Sequence, residues 1–216
     1  MGDVFSSFDV VLRAFLLTIE LFVVSAVLSL LFGTILAACR VGPVWILARA
    51  GAAYVAVVRN TPLLVVFIFV IVALPRLEMN IQSFFAKACL ALTVYTSAFV
   101  CEAVRSGINA VSAGQAEAAR ALGLTFGQSL REVVLPQAFR TVVPPLGNVL
   151  IAMVKNTSIA AGFSVSDLSS LLPRLVNADA GDLTLVLVGV VVGYMVITLP
   201  SALAVNRIER RVAILR

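Results

Sequence analysis

The feature that most restricts this chain is a set of apolar runs, each long enough to cross a bilayer as a helix. Crossing the hydrocarbon core takes roughly 20 helical residues. Five runs meet that length, near 12–38, 54–74, 83–104, 143–162 and 184–205. They are continuously apolar rather than alternating, which selects helices over the strands of a barrel. Composition agrees: 61% of residues are hydrophobic and 12% are charged. A soluble domain carries about 25% charged residues, so polar groups are too few here to cover a globule in water. The expected fold class is an all-α membrane protein with five transmembrane helices. Residues 1–9 lack the basic start and cleavage site of a secretory signal, so the first run is expected to stay as an anchor.

The connecting stretches sort by charge. Arg40, Arg49 and Arg59 flank the first loop, Arg105, Arg120, Arg131 and Arg140 lie in the long third one, and Arg207, Arg210, Arg211 and Arg216 close the chain. The other side carries Arg13, Arg76, Lys87 and Arg174 beside several acids. Eleven cations against four put the first set in the cytoplasm, with the N-terminus outside and the C-terminus cytoplasmic. The net charge of +5 is spread in short clusters between helices. That pattern suits anionic lipid headgroups and argues against nucleic acid. With no histidine, imidazole catalysis is excluded. Cys39, Cys89 and Cys101 fit no metal spacing and read as small apolar residues, so neither a catalytic residue nor a metal site is expected.

One segment is neither apolar enough for a span nor simple enough for a disordered loop. Between Arg105 and Thr141, residues 117–122 are strong helix formers, and Gly123 offers a left-handed stop. Glu117 falls where a first helical turn favours a carboxylate. A second short helix is expected from Phe126 to Val134, ending before Pro136. Short helices held on the cytoplasmic face, over about 112–136, offer a docking surface.

This segment also carries a resemblance. The run Gly114-Gln115-Ala116-Glu117-Ala118-Ala119, then Gly123, then Val133-Val134-Leu135-Pro136, resembles the EAA loop of bacterial ABC import permeases, with Val133 in the place of Ile. Arg59-Asn60-Thr61-Pro62-Leu63, Glu102 with Arg105, and Lys155-Asn156-Thr157-Ser158 resemble the polar amino acid branch of that family. Stretches 58–63, 99–109 and 145–148 are similar to glutamate permeases of actinobacterial type. Phe99 departs from the branch, where many members carry Tyr.

The resemblance implies a single permease domain of the type I importer fold, placed in the cell membrane. Gln115, Glu117, Ala118, Ala119, Gly123, Leu135 and Pro136 would form a coupling helix and its surroundings. Small residues such as Ala118, Ala119 and Ala121 would let that helix approach its partner closely. The implied partners are two ABC ATPase subunits, a second permease (a paralogue in preference to an identical copy) and an extracytoplasmic substrate-binding protein. ATP and magnesium would be held by the ATPases, since no Gly-x-x-x-x-Gly-Lys-Ser/Thr loop occurs here. The implied substrate is glutamate, with glutamine, aspartate or a basic amino acid as alternatives.

Polar residues inside spanning helices mark candidate path positions. Lys155, with Asn156, Thr157 and Ser158, suits a carboxylate; alternatively it pairs with Glu102 or Glu20, or reaches the outer interface. Tyr95, Thr96 and Ser97 line the same cavity or join helices. Arg59, Asn60 and Thr61 stand before Pro62, where freed carbonyls bond or hinge, or Arg59 anchors at lipid phosphates. Gly189 and Gly193 form a small-xxx-small pair that suits close packing or a dimer face. A self-contained channel or secondary transporter would need selectivity elements, internal repeats or relay carboxylates, and an intramembrane enzyme would need a Ser/His site or paired aspartates within a span. None is visible in the sequence.

Overall fold

A computed structural model describes residues 2–79, 81–171 and 183–212. All regular structure among them is helical. The elements are α1 (Gly2–Val41), α2 (Trp45–Arg59), α3 (Leu63–Arg76), α4 (Phe84–Asn109), α5 (Ala113–Ala121), α6 (Phe126–Phe163) and α7 (Leu183–Val212). Among the described residues between α6 and α7, Leu168–Ser170 forms a 3-10 turn. Helices α1, α4, α6 and α7 are long and apolar enough to cross a membrane, and α2 with α3 make a fifth crossing if counted together.

The second expected span is not one helix. α2 and α3 meet at 106° across residues 60–62. Pro62 has no N–H and pushes the residue before it out of the helical region. The end of α2 is closed locally: the Thr61 N–H turns to Val58 O at 3.2 Å, Thr61 Oγ1 donates to Val57 O at 2.8 Å, and Ala56 O, which keeps the Asn60 N–H, also accepts Asn60 Nδ2 at 2.8 Å.

The short helix expected to stop before Pro136 runs on instead. α6 begins at a reciprocal cap, in which Thr125 Oγ1 accepts the Gln128 N–H and Gln128 Oε1 accepts the Thr125 N–H. It then continues through Pro136, Pro144 and Pro145 to Phe163. A proline ring collides with the carbonyl four residues earlier. The chain widens one turn ahead of Pro136: Ser129–Val134 is a π turn, and Leu135 N–H bonds to Leu130 O, five residues back. The same device precedes Pro75 in α3, where Phe69–Ala73 is a π turn and Leu74 N–H bonds to Phe69 O.

Packing centres on α1 against α4. Thr18, Ser25, Ser29, Gly33 and Ala37 form a buried, small-residue stripe on α1. A Cβ on Gly33 would lie 2.5 Å from Val100 Cβ and 2.7 Å from Ser97 O, so only glycine admits this approach. Leu21, Phe67, Leu92 and Met153 join α1, α3, α4 and α6 in one buried cluster. Phe67 stacks on Phe163 at 5.3 Å between centroids. Gly193 meets Leu168, so this glycine is used within the chain, whereas Gly189 faces open space. On the outside, α1 exposes Val23, Val27, Leu31 and Ile35, and α7 exposes Val188, Val192, Val196 and Leu203. Surfaces this apolar belong against lipid or a partner helix.

A buried polar node ties the 3-10 turn to α1 and α7. Thr18 Oγ1 accepts the Leu168 N–H at 2.9 Å. The wholly buried Asp167 accepts the Ser170 N–H at 3.1 Å and the Tyr194 hydroxyl at 3.2 Å. Loss of water raises the Asp167 carboxyl from its ordinary 3.8 to about 6, and these hydrogen bonds offset only part of the rise.

Two expectations follow. Gly33→Ala forces α1 and α4 apart and lowers the thermal midpoint in detergent by several degrees, for a cost of about 1–3 kcal/mol. Gly127→Ala, with nothing within 4 Å of the added methyl, does not lower it; an unchanged midpoint in Gly33→Ala would contradict the close approach. For Asp167 the folded state binds the proton more tightly than the unfolded chain. Its contribution to stability is therefore greatest at acid pH and declines as pH rises from about 4 through about 6. In Asp167→Asn that decline disappears from the midpoint-versus-pH curve, and a curve unchanged by the substitution would refute the assignment.

Candidate functional site

Three arginines converge on one carboxylate. Glu102 of α4 forms an ion pair with Arg40 of α1, and lies 3.4 Å from Arg105 and 3.7 Å from Arg59 of α2. Arg40 also donates to Cys101 Sγ at 3.8 Å. The Arg40 side chain is 13% exposed and the Arg59 side chain 45%, so Arg40 is committed to the pair while Arg59 keeps a free edge. The Arg59 guanidinium also sits over the Phe99 ring at 5.5 Å. Among the described residues this cluster sets three cations against one anion. Glu102 is thus taken by arginines and not by Lys155, and Arg59 is engaged inside the chain rather than only at lipid phosphates.

Two clefts meet at Phe99. One, of about 410 Å³, lies between α2 and α4 and is lined by Arg40, Arg59, Asn60, Phe99 and Glu102, with Ala52 and Ala56 leaving room. The other, also about 410 Å³, lies between α4 and α6 and is lined by Tyr95, Thr96, Phe99, Asn148, Ala152 and Asn156. Tyr95 packs on Phe99 at 4.9 Å. A third cleft, of about 320 Å³, is bounded by Lys155 and Ser158 of α6 and by Tyr194 and Thr198 of α7. Asn148, Ala152 and Lys155 are exposed at the spacing of one helix face. An amide and an ammonium on the open side of an apolar helix are costly in lipid unless they meet water, a substrate or a partner.

The remaining path candidates separate by geometry. Tyr95, Asn156, Lys155, Ser158, Arg59 and Asn60 all line a cleft. Ser97 does not: it is buried, 3.0 Å from the Tyr54 hydroxyl, and joins α2 to α4. Thr157 is buried and donates to Val154 O at 2.7 Å. Thr61 caps α2. Asn148 and Arg40 are the residues that sequence reasoning missed. Asn148 was visible as a lone amide two turns before Lys155 on the same face, whereas Arg40 had no local signal beyond its place at a helix end.

The loop after α4 forms α5, closed by Gly123 at φ +86°. Gly123 N–H bonds to Arg120 O at 2.9 Å and Leu124 N–H to Ala119 O at 3.2 Å, which satisfies the last carbonyls. α5 begins at Ala113, so Glu117 stands in its second turn rather than its first. The helix dipole therefore does not account for this carboxylate, which is exposed together with Gln115 and Ala118. Ala119 is 4% exposed and packs inward, so it seats α5 on its own chain instead of facing a partner. Around the loop, Leu122 is 85% and Phe126 77% exposed, and Leu135 and Pro136 are exposed as well. A cleft of about 240 Å³ runs between α5 and the start of α6, lined by Glu117, Arg120, Phe126 and Leu130. Large apolar side chains left open beside charges mark a protein contact.

Comparison with known proteins agrees with this architecture. Residues 29–214 match the family described as binding-protein-dependent transport system inner membrane component. The chain is 42% identical over 214 residues to the glutamate transport system permease protein GluC of Corynebacterium glutamicum, covering 94% of each chain. It is 37% identical over 207 residues to the probable glutamine ABC transporter permease protein GlnM of Bacillus subtilis, covering 96% of this chain and 95% of that one. Among solved structures, a chain of an amino acid ABC transporter crystallised with histidines superposes with a TM-score of 0.88 at 29% identity, covering 97% of both chains. A multi-pass helical chain with this match over most of its length belongs to the binding-protein-dependent transport system inner membrane component family, the permease subunits of ABC importers.

Proposed function

We propose that this chain forms the membrane path of an ATP-driven glutamate importer in the cell membrane and is coupled to its ATPase through α5. The observation that carries the reading is the pairing, in one chain, of an exposed polar face on α6 with an exposed apolar loop at the same helix's start. Asn148 and Lys155 supply an amide and a cation suited to an amino acid carboxylate. Similarity to GluC favours glutamate over the glutamine carried in the name of GlnM.

The open side of α6 calls for a second permease chain, read here as a paralogue, with substrate passing between the two. α5, with Gln115, Glu117 and Ala118 outward and Leu122 and Phe126 beside them, supplies the face for one of two ABC ATPase subunits. Those subunits hold ATP and magnesium and carry out hydrolysis. With this loop end in the cytoplasm, a substrate-loaded binding protein docks on the opposite face. This chain contributes the path and the lever, with no covalent chemistry of its own.

The test is ATP hydrolysis by the purified complex in lipid nanodiscs, with binding protein and glutamate, glutamine, aspartate or arginine. Glutamate is expected to stimulate hydrolysis most. Glu117→Lys should cut the stimulated rate by about tenfold or more while the complex still forms. Stimulation unchanged by Glu117→Lys would remove α5 from the coupling role, and stimulation by another amino acid alone would reassign the substrate.

A further inference from the structure

The two clefts that share Phe99 differ in charge, and the difference assigns them different tasks. The cleft between α4 and α6 carries no charged side chain: Phe99, Val149 and Ala152 line it beside the hydroxyls of Tyr95 and Thr96 and the amides of Asn148 and Asn156. The cleft between α2 and α4 holds Arg40, Arg59 and Glu102, with Arg105 completing the cluster on the carboxylate, and lies nearer the end of α4 that leads into α5. Resting on the import reading above, we infer that the α2–α4 cleft is a second, inner station that takes a carboxylate of the amino acid on Arg59, with Glu102 as the resident anion that the substrate displaces.

The geometry supplies each part. Arg59 is the most exposed of the three guanidiniums and has the longest contact with Glu102, at 3.7 Å, so it exchanges partners most readily. Arg40 stays on Glu102 and keeps that carboxylate from being stranded when Arg59 turns away. The planar fork of Arg59 matches a carboxylate in two parallel hydrogen bonds, and its second support, the Phe99 ring, is the wall between the two clefts. Asn60, next to Arg59 at the 106° break between α2 and α3, lines the same cleft, with its Nδ2 held on Ala56 O. The lining carries one positive charge in excess, and Arg105 on the same carboxylate adds a second to the cluster, so an anion is attracted before any contact is made. The substrate thus passes from an uncharged station, around Phe99, to a cationic one.

A structural role and a binding role give opposite signs when the two partners are changed in turn. The measurement is equilibrium binding of labelled L-glutamate to the nucleotide-free complex in nanodiscs, without binding protein. Arg59→Gln should weaken binding by about 10- to 100-fold, and Arg59→Lys should recover part of the loss. Glu102→Gln, which removes the competing anion, should tighten binding. If Glu102→Gln weakens binding as Arg59→Gln does, the pair is structural and the inference falls. If Arg59→Lys is no better than Arg59→Gln, or the wild-type complex binds no glutamate in this state, it falls as well. Nanodiscs of phosphatidylcholine alone and with phosphatidylglycerol separate the other oxyanion source: loss of glutamate binding with the anionic lipid would assign the cleft to headgroups and overturn the inference. The import reading is tested separately, by stimulated hydrolysis in the wild-type complex, so either can fail alone.

Discussion

A peptide group surrounded by hydrocarbon finds no water, so each backbone N–H and C=O must be satisfied by the chain itself. Three irregularities of this structure, at Pro62, Pro75 and Pro136, are local answers to that demand. Pro75 and Pro136 each remove a donor and displace a carbonyl, and each follows a π turn that moves the hydrogen bonds to a five-residue spacing. Pro62 is met differently: the helix breaks, and the hydroxyl and N–H of Thr61 bond Val57 O and Val58 O, the carbonyls left behind. That break has a consequence beyond capping. It ends α2 at Arg59 and leaves its guanidinium beside Glu102 and Phe99.

The charge cluster depends in turn on how closely α1 approaches α4. Gly33 and its small neighbours let the two helices nearly touch. Two turns further on, Arg40 reaches Glu102, which a bulkier seam would prevent. The carboxylate so neutralised is a poor relay for protons, in keeping with a path that moves a solute rather than a proton. The unbalanced arginines make the α2–α4 cleft attractive to anions, whereas the cleft across Phe99 is uncharged and largely apolar.

The existence of the helices was legible because apolar length is a bulk property of a window of residues. The α5 loop was legible because helix formers, Gly123 and the spacing to Leu135-Pro136 stand together in sequence. The break at Pro62 was not, since averaging hydropathy over 54–74 hides a single dihedral constraint. The same blindness, in reverse, ended a helix at Pro136 where a π turn carries it through. Side-chain direction was the other hidden quantity. Ser97 and Tyr95 are near neighbours in sequence on one helix, yet Ser97 turns to Tyr54 and Tyr95 to a cleft. Arg40 lies 62 residues from Glu102, and only the folded seam of α1 and α4 brings them together.

The unbroken course of α6 has mechanical meaning. From the cap at Thr125 to Lys155 the chain is one continuous helix, about 45 Å long at 1.5 Å per residue. Its first turns pack against α5, its middle carries Asn148 opposite Tyr95, and its last turns carry Lys155 beside α7. Had the helix stopped at Pro136, a push on α5 would be absorbed in a loop. With the π turn in place of a stop, the seat at Phe126 and Leu130 and the polar face belong to one continuous helix. The widened turn keeps the proline that marks this loop without cutting the rod that joins the loop to the clefts.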